Sequence, residues 1–359
     1  MKKKIIYQIV QHLRPGGIEM MALDLLKHAN SEYEVHIVSL EGNYDEFATK
    51  WPALVEYRDR LHFMGKKSGV SWCVFTKLLQ LFLRTRPVAI HTHHIGPLLY
   101  GGLSAKLARV SSIVHTEHDG WHLNSPKASK LEGLLLKIIK PHLVADARNV
   151  AQALKEAIPK CNPITIMNGI DTDKFVKGDK YAARRHLNLP ENALIIGCAA
   201  RMEAEKSIHS ILEVMPHLKG NIHLALAGDG TMRDFLEALA VKQNIQNRVH
   251  FLGLIDNMPQ FYQALDVFCL PSIKEGLPLS PLEAQSCNIP CVVNDVGGCR
   301  EAVCTSSGEM VNVGDLRHLR NALDRKLHQE QSDKPRDFVL QYGDVHKMAS
   351  AYGDLYSNI

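Results

Sequence analysis

The stretch Val267-Phe268-Cys269-Leu270-Pro271-Ser272-Ile273-Lys274-Glu275-Gly276-Leu277-Pro278-Leu279-Ser280-Pro281-Leu282-Glu283-Ala284 joins an apolar run, a loop and a helix start. Four consecutive apolar residues suit a strand buried on both faces, as in a parallel sheet. The loop then lies at the carboxyl end of that strand, where open α/β sheets bind ligands. Gly276 and the two prolines hold it extended. Ser280, Pro281 and Glu283 fit the N-cap, N1 and N3 positions of a helix, a capping-box pattern. Free backbone N–H groups beside a positive helix end suit an anion with hydroxyls around it. Read singly, Glu275 is a solvated loop charge and Glu283 a cap; as a pair around Gly-Leu-Pro they point to a site.

Outward from this stretch, short apolar runs alternate with helix-period segments, the pattern of parallel α/β units. Strands are expected at Ile5–Val10, Val35–Leu40, Val88–His91 and Ser112–Thr116 in the first half. The second half shows them at Leu194–Ala199, Ile222–Ala227, Val249–Leu252, Val267–Leu270 and Pro290–Val293. The alternation breaks between Asp171 and Glu191, where charged and loop-forming residues collect. Two domains follow, residues 1–177 and 178–339, with a C-terminal helix over about 340–359 that returns to the first. The 359 residues also suit two domains better than one.

The charge is near balance, 42 basic against 38 acidic side chains, with no basic stripe, which argues against a nucleic-acid binder. No apolar run is long enough to cross a bilayer. Met1-Lys2-Lys3-Lys4 before Ile5–Val10 imitates a secretory signal, but Gln8, Gln11 and His12 interrupt it, so a first strand is expected. The eight cysteines form no C-x-x-C pair and most lie in apolar stretches, as reduced core thiols do. A cytoplasmic protein is expected.

Several further motifs carry charge or backbone freedom. Gly16-Gly17 follows the first strand and opens a helix, a geometry for a phosphate or simply a tight turn. Arg201 and Lys206 flank a loop after the Leu194–Ala199 strand. They suit a diphosphate, unless they pair with Glu203 and Glu205 at the surface. Gly228-Asp229-Gly230 closes the next strand as an ordinary turn. Asp171-Thr172-Asp173 imitates a metal-binding D-x-D but reads better as a turn. His91, His93 and His94 with His115 and His118 could suggest a metal centre, and read better as polar residues at two strand ends. Lys127, Lys130, Lys137 and Lys140, interleaved with Leu134, Leu135, Ile138 and Ile139, fit a membrane-facing basic helix or a core helix with a solvated face.

Taken together, these pieces resemble retaining glycosyltransferases of the large family 4. Glu275 and Glu283 match its Glu-x7-Glu signature. Gly16-Gly17-Ile18-Glu19, Asn168-Gly169-Ile170-Asp171 with Phe175, Arg201 and Lys206, Gly228-Asp229-Gly230 and Val296-Gly297-Gly298 before Glu301 follow in order. His115-Thr116-Glu117-His118-Asp119 is similar to a segment of members that build exopolysaccharide or lipopolysaccharide. The chain departs from the pattern at Ala200, Ser207 and Asn288, where glycine is common. The resemblance implies the GT-B architecture, an α/β fold of two Rossmann-like domains facing each other across a cleft. The first would be acceptor-side and the second the donor domain.

The resemblance also implies roles. Arg201 and Lys206 would hold the donor diphosphate and Glu283 the nucleotide ribose. Glu275 would contact donor-sugar hydroxyls, helped by backbone N–H groups of Gly276, Leu277, Pro278 and Leu279 where these exist (proline has none). Gly16 and Gly17 would approach phosphates and acceptor, and His118 the transferred sugar. The donor would be a UDP-sugar rather than a GDP-sugar. The acceptor would be a glycan or lipid-linked glycan, with peripheral contact at the inner face of the cytoplasmic membrane. No cofactor, metal or nucleic acid is expected, since cations and a helix end can stabilise the leaving diphosphate. The competing readings are a nucleotide-sugar epimerase of the same architecture and a non-catalytic nucleotide-sugar-binding protein.

Overall fold

The computed structural model describes residues 3–330 and 332–357. Met1 and Lys2 of the signal-like start, and the last two positions of the helix expected over 340–359, lie outside the described residues. The chain forms two units. One takes the residues up to Gly169 and those from Val345 onward, the other Ile170–Asp344.

The first unit holds β1 (Lys4–Val10), β2 (Tyr33–Ser39), β3 (Leu61–Phe63), β4 (Ala89–His93), β5 (Ser112–Glu117), β6 (His142–Ala145) and β7 (Ile164–Thr165). They pair in parallel in the order β3-β2-β1-β4-β5-β6-β7. The second holds β8 (Leu194–Ala199), β9 (Ile222–Ala227), β10 (Val249–Gly253), β11 (Val267–Leu270), β12 (Cys291–Asn294) and β13 (Glu309–Val311). Its order is β10-β9-β8-β11-β12-β13, again parallel. Both are Rossmann-like sheets in which the winding reverses beside the first strand, at β1/β4 and at β8/β11.

Apolar runs drive this arrangement. β11 is buried along its whole length, as Val267-Phe268-Cys269-Leu270 requires. In the first unit Ile6, Val10, Val35 and Ile37 pack with Met21 and Leu25 of the helix Gly17–Lys27. The helix Val345–Ser357 joins that core through Val345, Met348, Tyr352 and Tyr356. Among the described residues no helix is long and apolar enough to cross a membrane.

Two local expectations change. The span Leu98–Ala108 opens with a π-helical turn, Leu98–Gly102, before regular helix over Leu103–Leu107. The capping box at Ser280, Pro281 and Glu283 is absent. The helix begins earlier, at Leu279, with Pro278 as its N-cap and no side-chain cap. Pro281 falls within the first turn, where a missing N–H costs no helical hydrogen bond. Glu283 therefore sits a full turn inside, past the reach of the cap.

Candidate functional site

In the second unit four loops leave the carboxyl ends of β8, β9, β11 and β12, and the donor residues predicted for this unit lie on the segments after β8 and β11. Arg201 and Lys206 follow β8, Glu275–Pro278 follow β11, and Leu279 and Glu283 begin the next helix. Lys206 and Glu275, distant in sequence, meet beside the β8/β11 reversal: Lys206 Nζ donates to Glu275 Oε1 at 2.7 Å, both largely buried. The surface pairing proposed for the two cations holds only for Arg201, which is exposed and lies 3.4 Å from Glu205. A buried ammonium and carboxylate left apart would each carry a desolvation cost. Together they form a polar anchor at the base of the loops.

Backbone packing fixes the Glu275 loop. Gly298 N–H donates to the Gly276 carbonyl at 2.8 Å. A Cβ at Gly297, where φ is +51°, would overlap the Glu275 carbonyl oxygen. Gly228, at φ +126°, likewise leaves no room for a Cβ beside the Ala200 carbonyl. The departures at Ser207 and Asn288 fall at left-handed positions, φ +49° and +69°. Asn288 closes its helix with the Ile289 N–H bonded to Ala284 O, a Schellman-type cap that asparagine tolerates.

Glu283, partly buried, accepts a hydrogen bond from the Tyr262 hydroxyl at 2.5 Å. Burial raises its carboxyl above the ordinary carboxylate value of 4.5, and the Tyr262 bond only partly opposes this. Tyr262 is the partner that sequence reasoning missed; its place in Phe261-Tyr262 on an amphipathic helix reads as core. Asp171 Oδ1 accepts from the N–H groups of Asp173 and Lys174, the turn that was expected there.

The first unit carries Gly16, Gly17 and His118. Gly16 is the N-cap of Gly17–Lys27 in extended backbone, and a Cβ there would run into the Glu19 carboxylate. Gly17 faces open space. Glu19 also lies 3.1 Å from His12 Nδ1. His118 is buried, with Nδ1 3.2 Å from Asp146 Oδ2 and Nε2 3.0 Å from His93 Nδ1. Asn168 donates to the same Asp146 oxygen at 3.0 Å. Asp146 was missed in the sequence; its only signal is the short run Leu143-Val144-Ala145 ending in an acid.

Four further histidines near His118 divide into two groups. β4 extends to His93, so His91 and His93 share a face with ring centroids 4.2 Å apart. They bond to Tyr356, Thr116 and Gln8, and burial keeps both well below the usual histidine range. His94 and His122 instead face carboxylates. Burial opposes charge on His94, but Glu117 and Asp119 hold it up to about 9. The same contest at His122, with Asp119 and Glu132 as partners, ends at about 10.

The helix Pro126–Ile139 buries Glu132, Leu135 and Ile139 and leaves Leu131, Leu134 and Ile138 exposed beside exposed Lys127, Lys130 and Lys137. A cavity of about 870 Å³ beside it is lined by Lys130, Lys137, Lys140 and Lys160 with Leu136 and Ile158.

Comparison with known proteins covers both units. The model for "Glycosyltransferase Family 4" matches residues 15–174, and that for "Glycosyl transferases group 1" matches residues 179–340. A UDP-Gal:alpha-D-GlcNAc-diphosphoundecaprenol alpha-1,3-galactosyltransferase of Escherichia coli is 27% identical over 302 residues, 78% of this chain and 77% of its own. The lipopolysaccharide core biosynthesis mannosyltransferase LpsB of Rhizobium meliloti is 31% identical over 170 residues, 44% of this chain and 48% of its own. Among solved structures, Anabaena Alr3699/HepE in complex with UDP and glucose superposes with a TM-score of 0.85 at 20% identity, covering 99% of this chain and all of that one. With one model on each Rossmann-like unit and GT-B neighbours in structure, the chain belongs to the family 4, group 1 glycosyltransferases.

Proposed function

We propose that the chain moves a sugar, with retention of anomeric configuration, from a UDP-sugar to a glycan or lipid-linked glycan of a cell-surface polysaccharide. The observation that carries this reading is the Lys206–Glu275 pair at the β8/β11 reversal. It sets a cation for a diphosphate and a carboxylate for sugar hydroxyls on adjacent loops. Lys206 has three N–H donors and Glu275 takes one, which leaves the others for phosphate oxygens. Arg201, exposed and weakly held, closes on the same diphosphate as a planar fork. Gly276, Leu277 and Leu279 bring backbone N–H groups to the donor sugar; Pro278 has none and holds the turn. Glu283 Oε2 is taken by Tyr262, and Oε1 accepts from ribose hydroxyls.

These cations and the helix start at Leu279 stabilise the leaving diphosphate without a divalent ion on the donor. In the first unit Gly16 and Gly17 admit phosphate and acceptor close to the backbone, and His118, oriented by Asp146, meets the transferred sugar. UDP is favoured by the donor named for the Escherichia coli relative and by the UDP bound in HepE. A lipid-linked acceptor is favoured by the diphosphoundecaprenol of the same relative. Peripheral contact with an anionic membrane surface is favoured by the lysines and exposed apolar residues along Pro126–Ile139.

Release of UDP tests the reaction. UDP should appear from a UDP-sugar only when a glycan-diphospholipid acceptor is supplied, which a nucleotide-sugar epimerase or a simple binding protein does not reproduce. UDP affinity by calorimetry should be the same with magnesium and with chelator. Acceptor-independent turnover, or affinity that needs magnesium, would overturn the respective part.

A further inference from the structure

Outside the donor loops, the first unit gathers a second set of polar side chains at the ends of β4 and β5. His94 Nδ1 lies 2.7 Å from Glu117 Oε2, and His122 Nε2 lies 2.7 Å from Glu132 Oε2 and 3.9 Å from Glu117 Oε2. Ligand atoms of His94, Glu117 and His122 all fall within 4.8 Å of one another, and so do those of His115, Glu117 and Glu132. The ion pairs of Glu117, Asp119 and Glu132 run to histidine alone, with no lysine or arginine among the described residues.

Three observations separate this cluster from ordinary satisfied histidines. Glu132 is fully buried, yet its Oε1 has no hydrogen-bond partner, an uncompensated acceptor on the carboxylate whose other oxygen meets His122. Asp119 lies behind both imidazoles, its oxygens 3.5 Å from His94 Nε2 and 3.7 Å from His122 Nδ1, on the ring nitrogens turned away from Glu117 and Glu132. That is the outer carboxylate that orients metal-bound histidines. His94 itself is held at φ +67°, ψ 167°, a backbone region essentially confined to glycine. Only a structure that over-determines the residue keeps it there, and the outcome is an imidazole aimed at Glu117.

We propose that His94 Nδ1, Glu117 Oε2 and His122 Nε2 bind a divalent transition ion, with Asp119, Glu132 and His115 as the outer carboxylates and imidazole that fix them. Donors bound to one such ion sit roughly 3 to 3.5 Å apart for bonds near 2.0 to 2.2 Å, so the His94–Glu117 spacing of 2.7 Å has to open and the Glu117–His122 spacing of 3.9 Å has to close, each by a fraction of an ångström. Two imidazoles and a carboxylate suit zinc, cobalt or manganese rather than the oxygen-only cages of calcium and magnesium. His94 and His122 are about a quarter exposed, at 25% and 22%, so an ion has a path in. Its place beside His118, whose ring centroid is 5.5 Å from that of His94, gives it a positioning role in the first unit. The site's residues all belong to the first unit, and it departs from the expectation that this chain holds no metal.

The test is titration of the chelator-dialysed full chain with Co²⁺ followed by d–d absorption, and displacement by Zn²⁺ followed by calorimetry. One equivalent should bind with the visible spectrum of a nitrogen–oxygen site. His94→Ala and His122→Ala should abolish the spectrum, and Asp119→Asn should weaken affinity about 10- to 100-fold, the usual effect of losing such an outer partner. The cooperative melting transition of the first unit serves as the check that each variant is folded. Should the histidine variants fail that check, the partly exposed Asp119→Asn decides alone. The facing pairs His36–His62 and His223–His250 are the competing sites. No bound equivalent, an undiminished cobalt spectrum in the folded His94→Ala/His122→Ala double variant, or an unchanged affinity in Asp119→Asn would overturn the proposal.

Discussion

Lys206 and Glu275 touch, so neither acts on a donor independently of the other. Lys206→Ala should weaken UDP binding by roughly 1.5 to 3 kcal/mol, the range for a hydrogen bond to a charged group. Glu275→Gln should lower turnover while UDP affinity holds or rises, because Lys206 is then freed for the diphosphate. Neighbours in one ion pair couple by about 0.5 to 3 kcal/mol, so the double variant should depart from additivity in a calorimetric cycle. Strict additivity would dissolve the pair as a functional unit. Glu283 carries a different signature. Its folded-state carboxyl titrates above 4.5, so its contribution to stability is complete below that value and is lost as pH rises through the folded one. In urea unfolding, the stability of the wild type relative to Glu283→Gln should therefore fall as pH rises through the Glu283 titration. Equal slopes in both proteins would place the titration elsewhere. The pairing itself was not legible in the sequence. Lys206 sits next to Glu203 and Glu205 there, and only the sheet order carries it to Glu275 instead.

At the scale of elements, long apolar runs such as Ile5–Val10 and Leu194–Ala199 declared their strands, and the loops after them declared the donor residues. β3, β7 and β13 did not, because two or three residues are too short for either periodicity to register, and β6, four residues long like β11, opens on exposed His142 instead of an apolar residue. Losing β6 also hid Asp146, the partner of His118. The helix at Leu279 shows the opposite error: Ser-Pro-x-Glu carries a capping pattern, yet packing of Glu283 on Tyr262 and a start at Leu279 override it. The helix Pro126–Ile139 makes its own prediction. Vesicles containing anionic lipid should co-float with the protein, and neutral vesicles should not. Each lysine near such a surface contributes about 1 kcal/mol, so Lys130→Glu with Lys137→Glu should abolish flotation at moderate salt. Binding unaffected by those changes would assign the exposed Leu131, Leu134 and Ile138 to some other contact.

Across the whole molecule, the first unit owns two separate pieces of chain. Tyr352 and Tyr356 come from the second piece and are buried among β1, β4 and β5, where they bond to Thr116, Gln8 and His91. Ending the chain at Asp344 should therefore abolish the cooperative melting of the first unit. The second unit, intact from Ile170 to Asp344, should keep its own transition and its upward shift with UDP. Retention of the first transition in that truncated chain would show the helix Val345–Ser357 to be dispensable.

This split ownership also sets the order in which the protein can be finished on the ribosome. The Ile170–Asp344 unit is contiguous, so all of its strands have emerged while the last wall of its predecessor is still being translated. Amino-terminal domains ordinarily mature first during synthesis. Here the sheet that emerges first waits with its apolar face open until Val345–Ser357 leaves the tunnel, and the nascent chain is most in need of a chaperone through that interval.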